Sequence, residues 1–596
     1  MRAKSAAWVR YALVFLAAIG LVASLAAQTL ANGLHNAPLS VRLVPLVGSA
    51  NSIPAHFGRT SRVMRTNPLC AARASALSAG ALLYCNGPQF GRMRPNFARR
   101  AASVSSNVDM ANPAEDISPQ GLRANGQSEV SIAALNDGKV LGAWNDASGF
   151  INVCGAPNFK DQLSGYGYST DGGRTFIDEG GLPNVNCNSY SWFGDAGVEN
   201  WTVGGTDYAY VTGLFENIDA TDLKTYIAVA ACQESAGFIA CGQPTIVTTS
   251  SQCNTFFCSF LDKPFPSIDP VRGRLYVSYT EFGAVSPDTG NGDIDLAYCD
   301  IGTKIGGIGP LGGTAGTPVC NPGGTASAQS LPRPPYGVLA SSTTCEQAGS
   351  YPAVDVASGD VYVAYEYNRP LFFEARACRN QPTEDVVTRT PLKCLAVMGD
   401  SCAGPSDANA LAIFPISFTG IAGYNRFPSN DFPRIAVSAP YRTVSIAWND
   451  VRSHPLGDIL LESFSAGSLN NIQLAPVQLD NDRGGGLHFL PMLRNAEGDG
   501  KLTVGWFRRV SGNTADTDVY AATDISPLLS ATPGNRRITT VASNWLVTSS
   551  DIIPNFGDYN DNYAVAKAGW PYTAETTYFG WSDGRLGIPN PFEAHE

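Results

Sequence analysis

One short statement recurs along this chain and limits what it can fold into. In its clearest copy, DKPFPSIDPVRGRLYVSYTE (262–281), a Pro-containing lead enters an apolar run at Phe265 and Ile268. A turn follows at Asp269-Pro270 and Arg272-Gly273, where Pro fixes one backbone angle and Gly tolerates a left-handed one. Leu275, Tyr276, Val277, Ser278 and Tyr279 then alternate as a half-buried strand requires, and the run ends on Glu281. Equivalent hairpins read SEVSIAALNDGKVLGAWND (128–146), SYPAVDVASGDVYVAYEYN (350–368), DFPRIAVSAPYRTVSIAWND (431–450) and HFLPMLRNAEGDGKLTVGWFR (488–508). A sixth spans 557–583, and a weaker one is GDAGVENWTVGGTDYAYVTG (194–213).

The copies begin near residues 129, 194, 262, 350, 432, 489 and 558, so the spacings run from roughly 57 to 88 residues. An all-strand unit of that size cannot bury a face alone. Closing the units into a ring covers the faces and leaves few sheet edges. The expected fold is therefore all-β, a β-propeller of seven blades, or six if one copy is reassigned. Few residues follow Asp583, so residues just before 128 are expected to complete the last blade.

Residues 1–27 read as a signal peptide: Arg2, Lys4 and Arg10, then an apolar stretch from Tyr11 to Leu25, then small residues at Ala23–Ala27. Residues 28–118 form a basic leader rich in Arg, Ala and Ser, without strand periodicity, and are expected to be largely disordered. The first acidic residue is Asp109; eleven Arg and one Lys precede it. The rest of the chain holds 28 basic against 51 acidic residues. The propeller is expected over 119–596, overhung by long insertions at 302–345 and 370–430.

An acidic body argues against a nucleic-acid partner. No segment after residue 27 is long and apolar enough for a membrane span, so no membrane association is expected of the mature form, and a monomer is expected. Twelve cysteines lie between Cys154 and Cys402. An even number behind a signal peptide implies disulfides, with Cys232/Cys241 and Cys253/Cys258 as local pairs, in a secreted or periplasmic protein. The five histidines all lie outside the Cys-rich region, so no metal and no cofactor is expected.

Ser169-Thr170-Asp171-Gly172-Gly173-Arg174-Thr175-Phe176 is the sharpest motif. It makes a self-capped turn in which Asp171 accepts backbone N–H groups and an aromatic closes the gap beneath. Here the chain resembles the Asp-box (bacterial neuraminidase repeat) superfamily of sialidase-like β-propellers. The resemblance implies that the box joins the third and fourth strands of a blade, on the face opposite the active site, and that Asp171 is structural.

It also gives the hairpins a polarity. The residues leading into each first strand (Glu129, Asp195, Asp262, Asp431, His488, Asp558) and those running out of each second strand (Asp146, Glu281, Glu366, Asp450, Arg508, Asp583) would share the face around the central funnel. So many carboxylates need a proton or a cation to coexist. Two run-outs add an arginine, Asp450-Val451-Arg452 and Asp583-Gly584-Arg585, with Arg369 and Arg508 near the equivalent place; Arg can grip a sugar carboxylate at two points. Repeated strand-end ion pairs would look the same.

The resemblance implies a glycosidase acting on acidic glycans, with Asp146, Glu281, Asp450, Asp583 and Tyr559 as candidate catalytic residues and Arg452, Arg585, Arg369 and Arg508 on the substrate. A Tyr–acid nucleophile pair would be Tyr559 with Asp558 or Tyr279 with Glu281. The Arg-Ile-Pro signature of sialidases is absent; Phe432-Pro433-Arg434-Ile435 has another order and place. The alternatives are a polysaccharide lyase, or a non-catalytic propeller that binds a glycan, a protein or a cation through the same face.

Overall fold

In the computed structural model the described residues are Ala81, Cys85 and most of 107–596, apart from stretches within 152–161, 284–291, 303–312, 322–337, 370–382, 396–406, 415–431, 510–514 and 566–575 and some shorter gaps. All fall in one compact unit, residues 48–596. The signal peptide, nearly all of the leader, Asp431, and Cys70, Cys345, Cys378, Cys394 and Cys402 lie outside the described residues.

Seven antiparallel sheets follow one another along the chain. The first hairpins of blades 1 to 7 are Gln127–Ala134 with Val140–Asp146, Gly197–Val203 with Thr206–Asn217, Phe260–Asp269 with Arg274–Phe282, Glu346–Val354 with Val361–Arg369, Arg434–Ser438 with Thr443–Asp450, Leu487–Asn495 with Leu502–Arg509, and Asp561–Val565 with Thr576–Asp583. They are the seven copies read from the sequence. The architecture is a seven-bladed β-propeller.

Blade 7 takes its outermost strand from far upstream: Val108 pairs with Glu593 and Asp109 with Phe592. Asn107 ties this strand to blade 6, accepting from Thr540 N at 2.7 Å. The ring is thus closed by residues before 128, as expected.

Aromatic residues fill the gaps between blades. Trp144, Trp192, Trp448, Trp506, Trp545 and Trp581 are all fully buried. Trp448 packs with Tyr351 and Tyr362 of blade 4, and Trp581 with Phe489 and Phe507 of blade 6. Each such side chain removes enough apolar surface that truncation to Ala costs about 3–5 kcal/mol.

The self-capped turn joins Ser164–Ser169 to Ile177–Gly181, the third and fourth strands of blade 1. Asp171 accepts from Thr175 N at 2.9 Å and Thr175 Oγ1 at 2.8 Å. The disulfides Cys154–Cys187, Cys232–Cys241, Cys253–Cys258 and Cys299–Cys320 include both expected local pairs. Cys85 is also bonded, and no described cysteine is free. Four such bonds suit an oxidising compartment. Among the described residues no helix is long and apolar enough to cross a membrane.

Candidate functional site at the propeller axis

The register places strand starts opposite run-outs: Gln127 pairs with Asp146, Leu261 with Glu281 and His488 with Arg508. Both sets therefore share one end of the ring. At that end the innermost strands of blades 1, 3, 4 and 6 carry a bulge, with register shifts between Ser128 and Ser131, Asp262 and Phe265, Ala348 and Tyr351, and Phe489 and Met492. A bulge adds an unpaired residue and re-aims its side chain.

The residues at these bulges are left-handed, Glu129 at φ 57°, Lys263 at 55°, Leu490 at 51° and Gly349 at 67°, and so are Asp195 at 54° and Gly557 at 76°, which lead into the first strands of blades 2 and 7. That conformation costs a non-glycine residue about 1–3 kcal/mol and persists only where the surroundings enforce it. Three of the four non-glycine cases are charged, and those three meet.

Lys263 Nζ lies 3.1 Å from Glu129 Oε1, 3.1 Å from Asp195 Oδ2 and 2.9 Å from Asp558 Oδ2. The lysine side chain is 1% exposed and the carboxylates 0%. Asn145 donates to Glu129 at 2.8 Å and accepts from Asp195 N at 2.7 Å. The Tyr559 ring lies 5.2 Å from Nζ, and its hydroxyl donates to Ala196 O at 3.0 Å.

Burial pulls the Lys263 ammonium down, but Asp195, Asp558, Glu129 and Asp262 together outweigh it and hold the lysine charged. One ammonium does not neutralise that many acids. Burial, joined by Asp195, pushes the Glu129 carboxyl well above its ordinary range against the pull of Lys263. Burial raises Asp195 to about 7, with Lys263 opposing and Asp262 adding to the rise. The cluster therefore stores protons near neutral pH.

Next along the inner strands every blade contributes one side chain: Ser131, Glu199, Phe265, Tyr351, Arg434, Arg494 and Asp561. Ser131 and Tyr351 donate to Asp561 at 2.8 and 3.0 Å. Arg494 donates to Glu199 at 2.8 Å and reaches Asp561 at 3.4 Å. Arg434 stacks 4.5 Å from the Tyr351 ring centre and 5.1 Å from that of Phe265. Three cations, several carboxylates and two tyrosines thus converge on the axis. The three carboxylates share one ammonium, and Glu129 and Asp195 stand close enough to hydrogen-bond to each other.

Of the candidate catalytic residues, Tyr559 is in this cluster. The others hold strand corners. Asp146 caps the turn at Ser148 N, 2.8 Å away. Glu281 accepts from Ser251 N at 2.7 Å and from the hydroxyls of Ser251 and Ser259. Asp450 accepts from the Trp448 indole at 3.2 Å and Arg452 Nε at 2.8 Å. Asp583 accepts from Trp581 at 2.8 Å, Ser543 at 3.0 Å and Arg585.

Arg452 is 44% exposed. Arg585 is 5% exposed and lies over Phe592, donating to Asn107 beside the outermost strand of blade 7. Arg508 donates to the Tyr520 hydroxyl at 3.0 Å. Arg369 ends a strand, its backbone paired with Glu346, and its side chain lies outside the described residues. Tyr279 OH lies 3.3 Å from Thr248 Oγ1.

The lead-in positions Glu129, Asp195 and Asp558 were legible in the sequence as funnel residues. Lys263, Arg494, Tyr351 and Asp561 were not. The available signal was position: Lys263 occupies the place in its hairpin that Glu129 and Asp195 occupy in theirs.

In structure the chain is similar to the Hadza microbial sialidase Hz136, at 11% identity over 68% of this chain and 66% of that one, with a TM-score of 0.34. It is similar to the Trypanosoma rangeli sialidase in complex with sialic acid, at 9% identity over 67% and 54%, TM-score 0.30. It is also similar to the intramolecular trans-sialidase from Ruminococcus gnavus in complex with oseltamivir carboxylate, at 11% over 79% and 94%, TM-score 0.30. The chain spans about two thirds of the first of these proteins and about half of the second. Likeness at this level says nothing about its chemistry. No protein-family model matches the sequence, and no curated protein matches it.

Proposed function

We propose that the protein is a secreted or periplasmic sialidase-like propeller acting as a glycosidase on acidic glycans, from the end of the ring where strands start. One observation carries this reading: strained, charged residues from separate blades converge at that end, with cations, carboxylates and Tyr559 together on the axis. Backbone strain and displaced acid pKa values concentrate at working sites because function, not stability, maintains them. Arg452 is the arginine best placed to take a substrate carboxylate, since its guanidinium is part-exposed while Asp450 fixes its orientation. Asp146, Glu281, Asp450 and Asp583 remain the carboxylates of the same rim.

The closure of the Lys263 cluster from solvent favours a second reading, in which the cluster braces the ring and the rim binds a glycan without turnover. Wild-type protein is to be titrated with sialylated and uronic-acid oligosaccharides while released sugar is assayed. Binding with release supports the glycosidase; binding without release leaves the binding module; neither, across the panel, ends both.

Arg452→Ala is expected to weaken binding by about 1.5–3 kcal/mol, the worth of a hydrogen bond to a charged group. An unchanged dissociation constant would reduce Arg452 to a strand-end ion pair, worth about 0–1 kcal/mol of stability.

A further inference from the structure

The loop that leaves the second strand of blade 5 carries two groups that the axial cluster does not use. Asp450 ends that strand, Asp458 opens the third, and the two are paired directly across the ladder. Their side chains therefore lie on one face of the sheet, with Cβ atoms about 4.5–5.5 Å apart. Both are buried, at 2% and 1% exposure. Each holds one side chain of the loop between them. Arg452 donates to Asp450 from its backbone N at 2.9 Å and from Nε at 2.8 Å. His454 Nδ1 lies 2.6 and 2.8 Å from the two oxygens of Asp458. A guanidinium and an imidazole are thus anchored by neighbouring carboxylates at the end of the ring where strands start, and they are 44% and 33% exposed.

The carboxylate decides which form of the imidazole faces outward. Nδ1, set against two carboxylate oxygens, carries a proton and donates it, so in the neutral ring Nε2 keeps a lone pair. Among the described residues no group bonds Nε2; the contacts of the His454 ring to Asp458 all run through Nδ1. The loop itself is fixed. Gly457 N donates to His454 O at 2.9 Å, and His488 Nδ1 meets Gly457 O at 2.9 Å. Leu456 packs against the core that holds Leu487 and Phe489 of blade 6.

A neutral imidazole beside an oriented guanidinium suits one reaction of acidic glycans in particular, β-elimination from a uronate. The hydrogen on C5 of a hexuronic acid is α to the carboxylate, and the glycosidic oxygen on C4 is β to it. A cation on the carboxylate makes that hydrogen more acidic, and a base within reach removes it. We infer that Arg452 and His454 are the catalytic pair of a uronate lyase site, with Arg452 on the substrate carboxylate and His454 Nε2 taking the C5 proton. Asp450 and Asp458 are their positioning residues. The C5–H electron pair becomes the C4=C5 double bond, the C4–O4 bond breaks, and the protonated His454 gives its proton to O4. No water is consumed; the products are an unsaturated uronate and a glycan with a free hydroxyl. The inference rests on the reading of this rim as a site for acidic glycans, and it names elimination rather than hydrolysis as the reaction of uronates there.

The test follows the full-length protein on uronic-acid and sialylated oligosaccharides by two signals, the ultraviolet absorbance of the new double bond and the release of reducing ends. A sialic acid carries its carboxylate on a carbon without hydrogen, so it cannot eliminate in this way and reports hydrolysis alone. Absorbance growing with uronates is expected. His454→Gln should lower kcat about 100-fold or more, the worth of a general base, with KM little changed. Asp458→Asn should lower kcat about tenfold or more, because an amide can donate to Nδ1 and leave the proton on Nε2. Rates are referred to the folded fraction from melting curves, so lost stability does not imitate a lost base. No unsaturated product from any uronate, or a kcat undiminished in His454→Gln, would overturn the inference. Reducing ends released from sialylated glycans without absorbance from uronates would overturn it too while sustaining the glycosidase; absorbance from uronates without release from sialylated glycans would sustain it and end the hydrolytic reading.

Discussion

Lys263→Met is expected to cost about 3–5 kcal/mol of stability, because it leaves Glu129, Asp195 and Asp558 buried without their shared cation. The penalty is the desolvation of carboxylates that no longer have a partner, which exceeds the worth of the ion pairs themselves. The variant can lessen it by protonating those acids, so its deficit should be larger at pH 8 than at pH 5. Adding Glu129→Gln removes one of the stranded charges and should recover part of the loss. Melting curves followed by circular dichroism would show a fall on the order of 5 °C or more at pH 8. A variant that melts within a degree or two of wild type at both pH values would mean the cluster is neutralised in another way.

The wild-type protein should itself be more stable at pH 5 than at pH 8. Asp195 is raised to about 7, mainly by burial, against Lys263. Glu593, in blade 7, is raised to about 7, again by burial, against its hydrogen bond from His595. A carboxyl with a raised folded-state pKa favours the folded form while it is protonated. That contribution is complete below the unfolded value near 4 and is lost as pH climbs through about 7. His595, raised by Glu593, adds stability of the same sign, present at low pH and lost as pH rises. Glu593 alone accounts for on the order of 2–3 kcal/mol between pH 5 and pH 8. Denaturant titrations at four pH values across that range measure the slope, and Glu593→Gln should flatten its share. A midpoint that holds steady or climbs toward pH 8 would contradict these assignments.

Local chemistry made the ring legible. The turn at Asp269-Pro270 and Arg272-Gly273 and the alternation through Tyr279 define a hairpin, and its recurrence sets the blade count, since each unit needs a neighbour on both faces. The Cys232–Cys241 and Cys253–Cys258 bridges and the turn at Asp171 close over a few residues, so spacing revealed them too.

The centre of the ring was another matter. Glu129 and Lys263 are 134 residues apart, and Glu129 and Asp558 are 429 apart. Which side chains meet there depends on how many blades close the circle and on the residue each inner strand presents. The left-handed positions that aim these residues carry Glu, Asp and Lys in three blades where a glycine would have advertised the conformation. The sequence by itself determined that carboxylates would crowd one end of a ring of repeats and would need a proton or a cation to coexist. Only the tertiary structure decided that the cation is Lys263, because its backbone is strained into place by packing from every side, and no local pattern encodes that.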